Sequence, residues 1–370
     1  MSLPIRTAVL GYGFAGRIFH SPFVHAVPGL ELTAIVQRHG ENAAADYPAA
    51  RILRSVEEAF ADPAIDLIVV ATPNDSHVEM ATRALEAGKH VVIDKPVAGT
   101  SAEVLDLIAL AKKQGKVLAP FHNRRFDSDF LTVRKLITEG TLGRIALVNS
   151  HYDRFRPFQR QNTWKEVGGA ANGLLFDLGP HLVDQALALF GVPTSITASV
   201  RQERDVTAIE DAFDIVLEFA ESAAADGSAR GIRYECHATM LAADPAARFR
   251  VNGTLGSYVK FGLDPQEAAL LGGARPEELG SPTPWLPEPE STWGTLTLAT
   301  QASEPVKLER SKVPSEVGDY RKFYANVRDA IRGEAPLVVS AEDAYRTIRI
   351  LELALHSSDK RRTLPVDFTA

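Results

Sequence analysis

The sequence predicts an α/β protein with two domains. The first is built on a doubly wound parallel sheet and the second on a mostly antiparallel, open-faced sheet. The chain has 370 residues, more than a single hydrophobic core usually organises. Short apolar runs alternate with helical stretches over the first 120 residues, and longer alternating stretches follow. The predicted domains are 1–121 and 122–370, with the terminal helices as candidates for packing back on the first domain.

The parallel sheet is predicted from five short apolar runs bounded by Gly, Pro or Asn, a pattern typical of strands buried on both faces. The runs span residues 7–10, 32–36, 67–72, 91–93 and 117–119. Helices are predicted over 74–87 and 101–114, the second with Ser101 as N-cap, and they stop at Gly88 and Gly115. A sheet of this type binds its ligands at the carboxyl ends of the strands.

The second sheet is predicted from longer stretches in which apolar and polar residues alternate. These stretches span residues 144–153, 195–201, 212–219, 232–241 and 248–261. Helices are predicted over 128–138, 178–189, 319–332 and 341–356. The stretch 264–318 is rich in Pro, Gly and Glu, which favours irregular structure or an excursion from the sheet over a third domain.

Composition excludes several classes of protein. The net charge of −7 disfavours a nucleic-acid-binding surface. The single cysteine, Cys236, excludes a disulfide framework and cysteine-ligated zinc or iron–sulfur sites, and we predict no metal. No window approaches the roughly 18 consecutive apolar residues of a membrane helix. Because the first residues also lack a signal-peptide pattern, we predict a cytoplasmic protein with no membrane partner.

A glycine-rich motif, Gly11-Tyr-Gly13-Phe14-Ala15-Gly16, follows the first predicted strand and opens a helix. Its glycines permit a tight turn and let the backbone approach a pyrophosphate, while the helix N-terminus favours the phosphate charge. The motif alone is weak evidence, because it also occurs in ordinary turns. Its position after a buried strand favours a dinucleotide site with contacts from Gly11, Gly13, Phe14, Ala15 and Gly16.

The second strand is followed by Gln37-Arg38-His39. Enzymes that use NAD usually place Asp or Glu here, to accept from the ribose 2′-hydroxyl. A guanidinium can instead face a 2′-phosphate, so Arg38 predicts NADP as the cofactor in preference to NAD. The alternative is that Arg38 is an ordinary surface arginine.

The ends of the next two strands supply further candidates. One strand is followed by Thr72, Pro73, Asn74 and His77, and we predict that they contact the cofactor. Asn74 could also cap a helix, which is compatible with that contact. Lys95 follows the other strand. In the ligand crevice its ammonium could lower the pKa of a substrate hydroxyl and stabilise an alkoxide, whereas a solvent-facing lysine would do neither.

Asp177 and His181 are separated by one helical turn, so both can face one cleft. A histidine can exchange a proton near neutral pH, and a carboxylate can orient the histidine or the substrate. A pair with this spacing is more often a surface or capping pair. The catalytic interpretation therefore depends on combining it with Lys95 and the cofactor motif.

Taken together, the segments GYGFAG, ATPNDSH, DKP and DLGPHLVD resemble the Gfo/Idh/MocA oxidoreductase family, and the resemblance runs from residue 5 to about residue 360. It implies an N-terminal Rossmann domain and a C-terminal α/β domain whose open sheet often forms subunit contacts, hence a homodimer or homotetramer. It also implies metal-free hydride transfer with Lys95, Asp177 and His181 as the catalytic residues, His181 being the general acid/base. Asp94 stands where the family more often has Glu.

Residues 121–130, 150–157 and 256–265 are similar to the subgroup that contains NADP-dependent scyllo-inositol dehydrogenase. This similarity implies a cyclic polyol or sugar as substrate, with scyllo-inositol oxidised to scyllo-inosose as the first choice. Polyol binding needs many hydrogen-bonding groups in one concavity. The candidate contacts are His122, Asn123, Arg124, Tyr152, Arg154 and Arg156. The alternatives are an aldose or keto-sugar reductase of the same family, and a non-catalytic NADP-sensing regulatory protein.

Overall fold

The structure is a computed structural model that describes residues 3–160, 166–169, 171–220, 230–301 and 303–368. The chain forms two compact units. Unit 1 comprises Met1–Phe126, Pro265–Trp285 and Asp319–Tyr345, and unit 2 comprises Asp127–Asp264, Leu286–Gly318 and Arg346–Ala370. Two later segments therefore belong to unit 1 by contact. The sequence suggested a division after residue 121, with terminal helices that could pack back on the first domain.

Unit 1 contains a six-stranded sheet in which every paired strand is parallel, as the sequence predicts. Its strands are β1 (Ile5–Leu10), β2 (Leu30–Val36), β3 (Arg51–Leu53), β4 (Leu67–Val70), β5 (His90–Ile93) and β6 (Leu118–Pro120). Their order is β3-β2-β1-β4-β5-β6. The strands are added toward one edge of the sheet from β1 to β3 and toward the other edge from β4 to β6, and ligands of such sheets bind at the carboxyl ends near this switch between β1 and β4.

Unit 2 contains a nine-stranded sheet of order β14-β13-β12-β11-β7-β10-β9-β8-β15. The strands are β7 (Ile145–Asp153), β8 (Ser195–Arg201), β9 (Ala212–Phe219), β10 (Ile232–Thr239), β11 (Phe249–Gly253), β12 (Gly256–Lys260), β13 (Gly294–Gln301), β14 (Lys307–Val313) and β15 (Leu364–Pro365). Only the β7–β10 pair is parallel among the described pairings, which confirms the predicted mostly antiparallel sheet.

The α-helices of the described residues are α1 (Ser21–Ala26), α2 (Asn42–Asp46), α3 (Val56–Ala61), α4 (His77–Glu86), α5 (Ser101–Gln114), α6 (Ser128–Thr138), α7 (Leu174–Phe190), α8 (Pro265–Leu271), α9 (Arg321–Ile331) and α10 (Ala341–Lys360). A π-helical turn, Gly16–His20, precedes α1. The N-cap of α5 is Thr100 rather than the predicted Ser101. Thr100 accepts from the Glu103 amide, and the Glu103 carboxylate accepts from the Thr100 amide.

The prediction of irregular structure for 264–318 is wrong in two places, at the strands β13 and β14 and at the helix α8. β13 and β14 extend the sheet of unit 2 there, and α8 begins the segment. Nearly every residue of β14 is exposed, so its sequence carries no alternation of apolar and polar residues. The predicted continuous stretch 248–261 is a hairpin of β11 and β12.

The burial of residues along the strands shows where candidate functional side chains are accessible in each unit. In unit 1, β1, β4 and β5 are buried almost throughout, so candidate side chains occur where the strands end. In unit 2, α7 packs on β7, β9 and β10. Along β7, Ser150 and Tyr152 are buried, and the alternate residues His151 and Asp153 are half-buried on the opposite face.

None of the described helices combines the length and the apolar character needed to cross a bilayer.

Candidate active site

The glycine-rich loop between β1 and the first helix is shaped by close backbone contacts. Gly11 has φ +97°, and a Cβ on it would lie 2.9 Å from the carbonyl oxygen of Ala71. A Cβ on Gly16 would lie 1.9 Å from the Gly11 carbonyl oxygen, whereas one on Gly13 would meet no atom within 4 Å. The helix starts directly after Gly13, whose carbonyl accepts from the Arg17 amide. Bare backbone therefore faces open space at a helix N-terminus, an arrangement that fits a pyrophosphate.

We expect Gly16→Ala and Gly13→Ala to act on different properties. The first places a methyl group inside a backbone contact and should lower the melting temperature. The second should leave the melting temperature unchanged but weaken dinucleotide binding by about tenfold or more, because the methyl group occupies the space left for the phosphate. Thermal unfolding and calorimetric titration measure both. An equal loss of stability in the two variants would contradict this prediction.

The loop after β2 presents Arg38. Its side chain is exposed and makes no hydrogen bond or ion pair with the described residues. Arg54 holds the loop in place by donating to the carbonyl oxygens of Gln37 (3.0 Å) and Gly40 (2.8 Å). Arg54 also pairs with Glu41 at 2.6 Å, which compensates the nearby carboxylate. The sequence did not identify Arg54, whose contacts come from β3 packing beside β2.

His77 links the segments that follow β4 and β5. Its ring is buried, with Nδ1 2.8 Å from the Pro96 carbonyl oxygen and Nε2 2.9 Å from that of Thr72. Both ring nitrogens thus lie within hydrogen-bond distance of backbone carbonyl oxygens, and His77 joins these two segments. Thr72 also accepts from Ser76 Oγ at 2.7 Å.

The remaining cofactor candidates lie at the surface around this edge of unit 1. Thr72 and Asn74 are half-buried, and Pro73 is exposed. The Phe14 ring is 57% exposed at the start of the first helix and lies edge-on to Phe19. These side chains are accessible to a ligand bound at the glycine-rich loop.

Lys95 is half-buried two residues beyond β5 and is supported by Asp94. Asp94 Oδ1 accepts from the Lys95 amide at 2.8 Å, and Oδ2 lies 3.5 Å from His20 Nε2. Burial acts to raise the pKa of Asp94, but the contact with His20 and the charge of Lys95 outweigh it and lower the pKa to about 2. Asp94 is therefore a carboxylate at neutral pH.

His20, which contacts Asp94 beside Lys95, is in turn held by Tyr324. His20 Nδ1 lies 2.6 Å from Tyr324 Oη, and burial raises the pKa of Tyr324 well above its ordinary value. The tyrosine hydroxyl thus stays protonated and holds the imidazole. The sequence did not identify either residue, because Tyr324 is 304 residues away from His20 along the chain.

In unit 2, the start of α7 brings four of the predicted site residues together. Asp177 lies in the first helical turn and donates its amide to the Gly173 carbonyl at 3.0 Å, and His181 follows one turn later. Arg154 Nη1 is 3.6 Å from Asp177 Oδ2. The ring centroids of Tyr152 and His181 are 6.5 Å apart. A proton-exchanging group, a carboxylate, a cation and a phenol thus lie within one small region.

Arg156 follows on the chain that leaves β7, where its amide donates to the Met240 carbonyl at 2.7 Å. Its Nη1 is buried and has no hydrogen-bond partner among the described residues. Burial lowers the pKa of Arg156, and the charges of Arg160 and Arg154 lower it further. A buried guanidinium nitrogen of this kind can donate to a ligand oxygen.

The first group of predicted substrate contacts, His122, Asn123 and Arg124, is buried in unit 1. Arg124 Nη1 donates to Tyr320 Oη at 2.9 Å, and Nη2 pairs with Glu267. The guanidinium of Arg124 therefore has a structural role in holding the segment that follows β6. It is a weaker candidate for substrate binding than Arg154 or Arg156.

Comparison with known proteins gives consistent results over both parts of the chain. Residues 5–122 match a family model described as an oxidoreductase family, NAD-binding Rossmann fold, and residues 134–368 match the C-terminal alpha/beta domain of the same family. The chain is 41% identical to the uncharacterized oxidoreductase YdgJ of Escherichia coli (strain K12), covering 98% of this chain and 99% of that protein.

Two further relatives span nearly the whole chain. The scyllo-inositol 2-dehydrogenase (NADP(+)) IolW of Bacillus subtilis (strain 168) is 35% identical, covering 98% of this chain and 96% of that protein. A solved structure from Yersinia pestis superposes with a TM-score of 0.90 at 39% identity, covering 100% of this chain and 99% of the other. The chain therefore belongs to the Gfo/Idh/MocA family of oxidoreductases.

Proposed function

We propose that the protein transfers a hydride between NADP and a secondary alcohol of a cyclic polyol or sugar, with scyllo-inositol, oxidised to scyllo-inosose, as the first candidate substrate. The observation that carries the proposal is the cluster of Tyr152, Arg154, Asp177 and His181 at the start of α7. The relative IolW, a scyllo-inositol 2-dehydrogenase that uses NADP(+), supports the choice of substrate.

The proposed mechanism assigns a separate role to each of three side chains. His181 accepts the hydroxyl proton of the substrate, and its imidazolium returns the proton when the reaction runs in reverse. The Lys95 ammonium stabilises the developing alkoxide, and Asp177 orients the histidine or a substrate hydroxyl. The glycine-rich loop and Arg38 would hold NADP+, which would supply nicotinamide C4 as the hydride acceptor for oxidation of the carbinol carbon to a ketone.

Arg154 and Arg156 suit a polyhydroxylated substrate. Arg156 offers a buried guanidinium nitrogen without a partner among the described residues, and Arg154 lies beside Asp177 at a separation beyond ordinary hydrogen-bond length. Donors fixed in a partly buried region select substrates with matching oxygens, because an analogue without the oxygen leaves the donor unpaired. We therefore assign these two arginines to recognition of ring hydroxyl groups.

The preference for NADP is tested by Arg38→Ala. A charge-assisted hydrogen bond is worth about 1.5–3 kcal/mol, so the variant should lose about 10- to 100-fold in kcat/KM with NADP. Its kcat/KM with NAD should stay nearly unchanged, because the lost partner is the 2′-phosphate. The matched control is Arg310→Ala, which removes an exposed arginine of β14. A wild-type enzyme that prefers NAD would overturn the assignment.

The substrate is tested by initial rates with scyllo-inositol, myo-inositol, aldoses and ketoses in both directions, followed by NADPH absorbance. The proposal expects the highest kcat/KM with scyllo-inositol or its ketone. Faster reduction of aldoses or other keto-sugars would instead identify a sugar reductase. Tight NADP binding without turnover of any substrate would indicate a regulatory protein.

The homodimer or homotetramer implied by the family stays a prediction. Sedimentation velocity of the full chain measures it directly, and a single monomeric species at micromolar concentration would contradict it.

A further inference from the structure

The face of the unit 2 sheet opposite α7 carries a cluster of two histidines and two carboxylates. Strand alternation places His151 and Asp153 on this face, while Tyr152 between them is buried on the other. In the strand register, His237 of β10 pairs with His151 of β7 on one side and with Asp214 of β9 on the other. His151, His237 and Asp214 therefore lie at one level on three neighbouring strands, and Asp153 lies two residues further along β7 on the same face.

The separations within the cluster fit a metal ion better than they fit hydrogen bonds. Asp153 Oδ2 is 3.6 Å from His151 Nδ1, and Asp153 Oδ1 is 3.5 Å from His237 Nε2. One ligand atom from each residue lies within 4.8 Å of the other two. Hydrogen bonds between nitrogen and oxygen are usually shorter than the 3.5 and 3.6 Å separations. Ligands bound tetrahedrally at about 2.0–2.1 Å from zinc are separated by about 3.3 Å, close to the 3.5 Å between Asp153 Oδ1 and His237 Nε2.

Two atoms at the centre of the cluster lack the partners that buried polar atoms normally have. His151 Nδ1 and Asp153 Oδ1 are buried and form no hydrogen bond with any described residue. The other carboxylate oxygen, Asp153 Oδ2, accepts from the Ala246 amide at 3.0 Å. This contact fixes the carboxylate and leaves Oδ1 for another ligand.

Asp214 orients His237 in the way that outer carboxylates orient metal-binding histidines. Asp214 Oδ1 lies 2.6 Å from His237 Nδ1, and Asp214 Oδ2 is paired with Arg201 at 2.5 Å. When Nδ1 donates to a carboxylate, a neutral imidazole presents the lone pair of Nε2 on its other side. Here that lone pair is directed toward Asp153, so a cation between the two groups would remove their repulsion.

We propose that His151, Asp153 and His237 bind one divalent metal ion, best fitted by Zn²⁺, through His151 Nδ1, Asp153 Oδ1 and His237 Nε2. Two imidazoles and one carboxylate suit zinc better than Mg²⁺ or Ca²⁺, which prefer all-oxygen ligands. A water molecule supplies the fourth ligand. The site ties β7 to β10 and lies on the face of β7 opposite Tyr152, so its role is structural and separate from hydride transfer.

The experiment uses the full chain without an affinity tag, freed of metal by chelator dialysis and then titrated with Zn²⁺. Calorimetry and elemental analysis after gel filtration should give one zinc per chain. His151→Ala and His237→Ala each remove a ligand and should weaken zinc binding by about 100-fold or more. Asp214→Asn should weaken it by about 10- to 100-fold, because the outer partner is altered. The matched control is His356→Ala, which removes an exposed histidine of α10.

Co²⁺ gives a second measurement. The wild-type protein should show the strong visible absorption of tetrahedral cobalt, and excess Mg²⁺ should not compete with it. Far-UV circular dichroism checks that each variant folds, and His151→Gln replaces His151→Ala if the alanine variant does not fold. Wild-type binding well below one zinc per chain would overturn the proposal. Unchanged zinc affinity in a folded variant that lacks both histidines would overturn it as well.

Discussion

Replacing His181 by alanine is expected to lower kcat by about 10²- to 10⁴-fold, the usual contribution of a positioned acid or base. Without the imidazole, the hydroxyl proton of the substrate must leave to water while the hydride departs. The Kd for NADPH should change little, because the substitution leaves every residue of the glycine-rich loop in place. Steady-state kinetics and fluorescence titration of NADPH measure the two quantities.

The control for this variant is His356→Ala, which should keep the wild-type rate because it removes an exposed histidine from α10. His181→Asn provides a second test, since an amide can hydrogen-bond the substrate but cannot exchange its proton near neutral pH. A kcat within about threefold of wild type in the alanine variant would remove His181 from the mechanism.

Replacing Lys95 by methionine is expected to lower kcat by about 10²- to 10³-fold, comparable to the loss of one preorganised donor to an oxyanion. Methionine keeps most of the length of the side chain but removes the positive charge, so the developing alkoxide loses its stabilisation. The Asp94 carboxylate accepts from the Lys95 backbone amide, which the substitution retains, so the local fold should persist. Kinetics and the melting temperature together test both expectations.

Lys112→Met is the matched control, because Lys112 is exposed on α5 and should tolerate the same change without effect. Lys95→Arg adds information, since it keeps the charge but changes its geometry and should recover only part of the rate. A Lys95→Met enzyme in which KM rises while kcat stays constant would show that the lysine binds substrate without assisting the chemical step.

Most of the parallel sheet could be predicted from the sequence because its strands are continuous apolar runs. β4 is buried at all four positions, and a continuous apolar run of that kind is recognisable in the sequence as a buried strand. β3 has only three residues and begins with the exposed Arg51, so no pattern distinguishes it from a loop. The hairpin of β11 and β12 appeared as one strand because both halves alternate, although Gly253 and Gly256 lie at its turn.

The candidate site could be predicted only where its residues lie close together in the sequence. Asp177 and His181 share one helix, and Lys95 follows a recognisable strand. The supports of these residues come from distant segments, as Tyr324 does for His20, and no local pattern reports them. His151 and His237 are 86 residues apart in the sequence and are brought together by the register of β7 and β10. Only the structure establishes that register.

β14 has a consequence for how the protein behaves at high concentration. It ends the sheet of unit 2, so its outer row of backbone amides and carbonyls has no pairing strand among the described residues. An open edge of this length can recruit a strand from another molecule and begin aggregation. Lys307, Glu309, Arg310 and Lys312 are exposed along this strand, and an approaching copy would have to desolvate their charges. We expect this charged strand to keep the sheet from growing beyond one chain, with β15, only two residues long, limiting growth at the opposite edge.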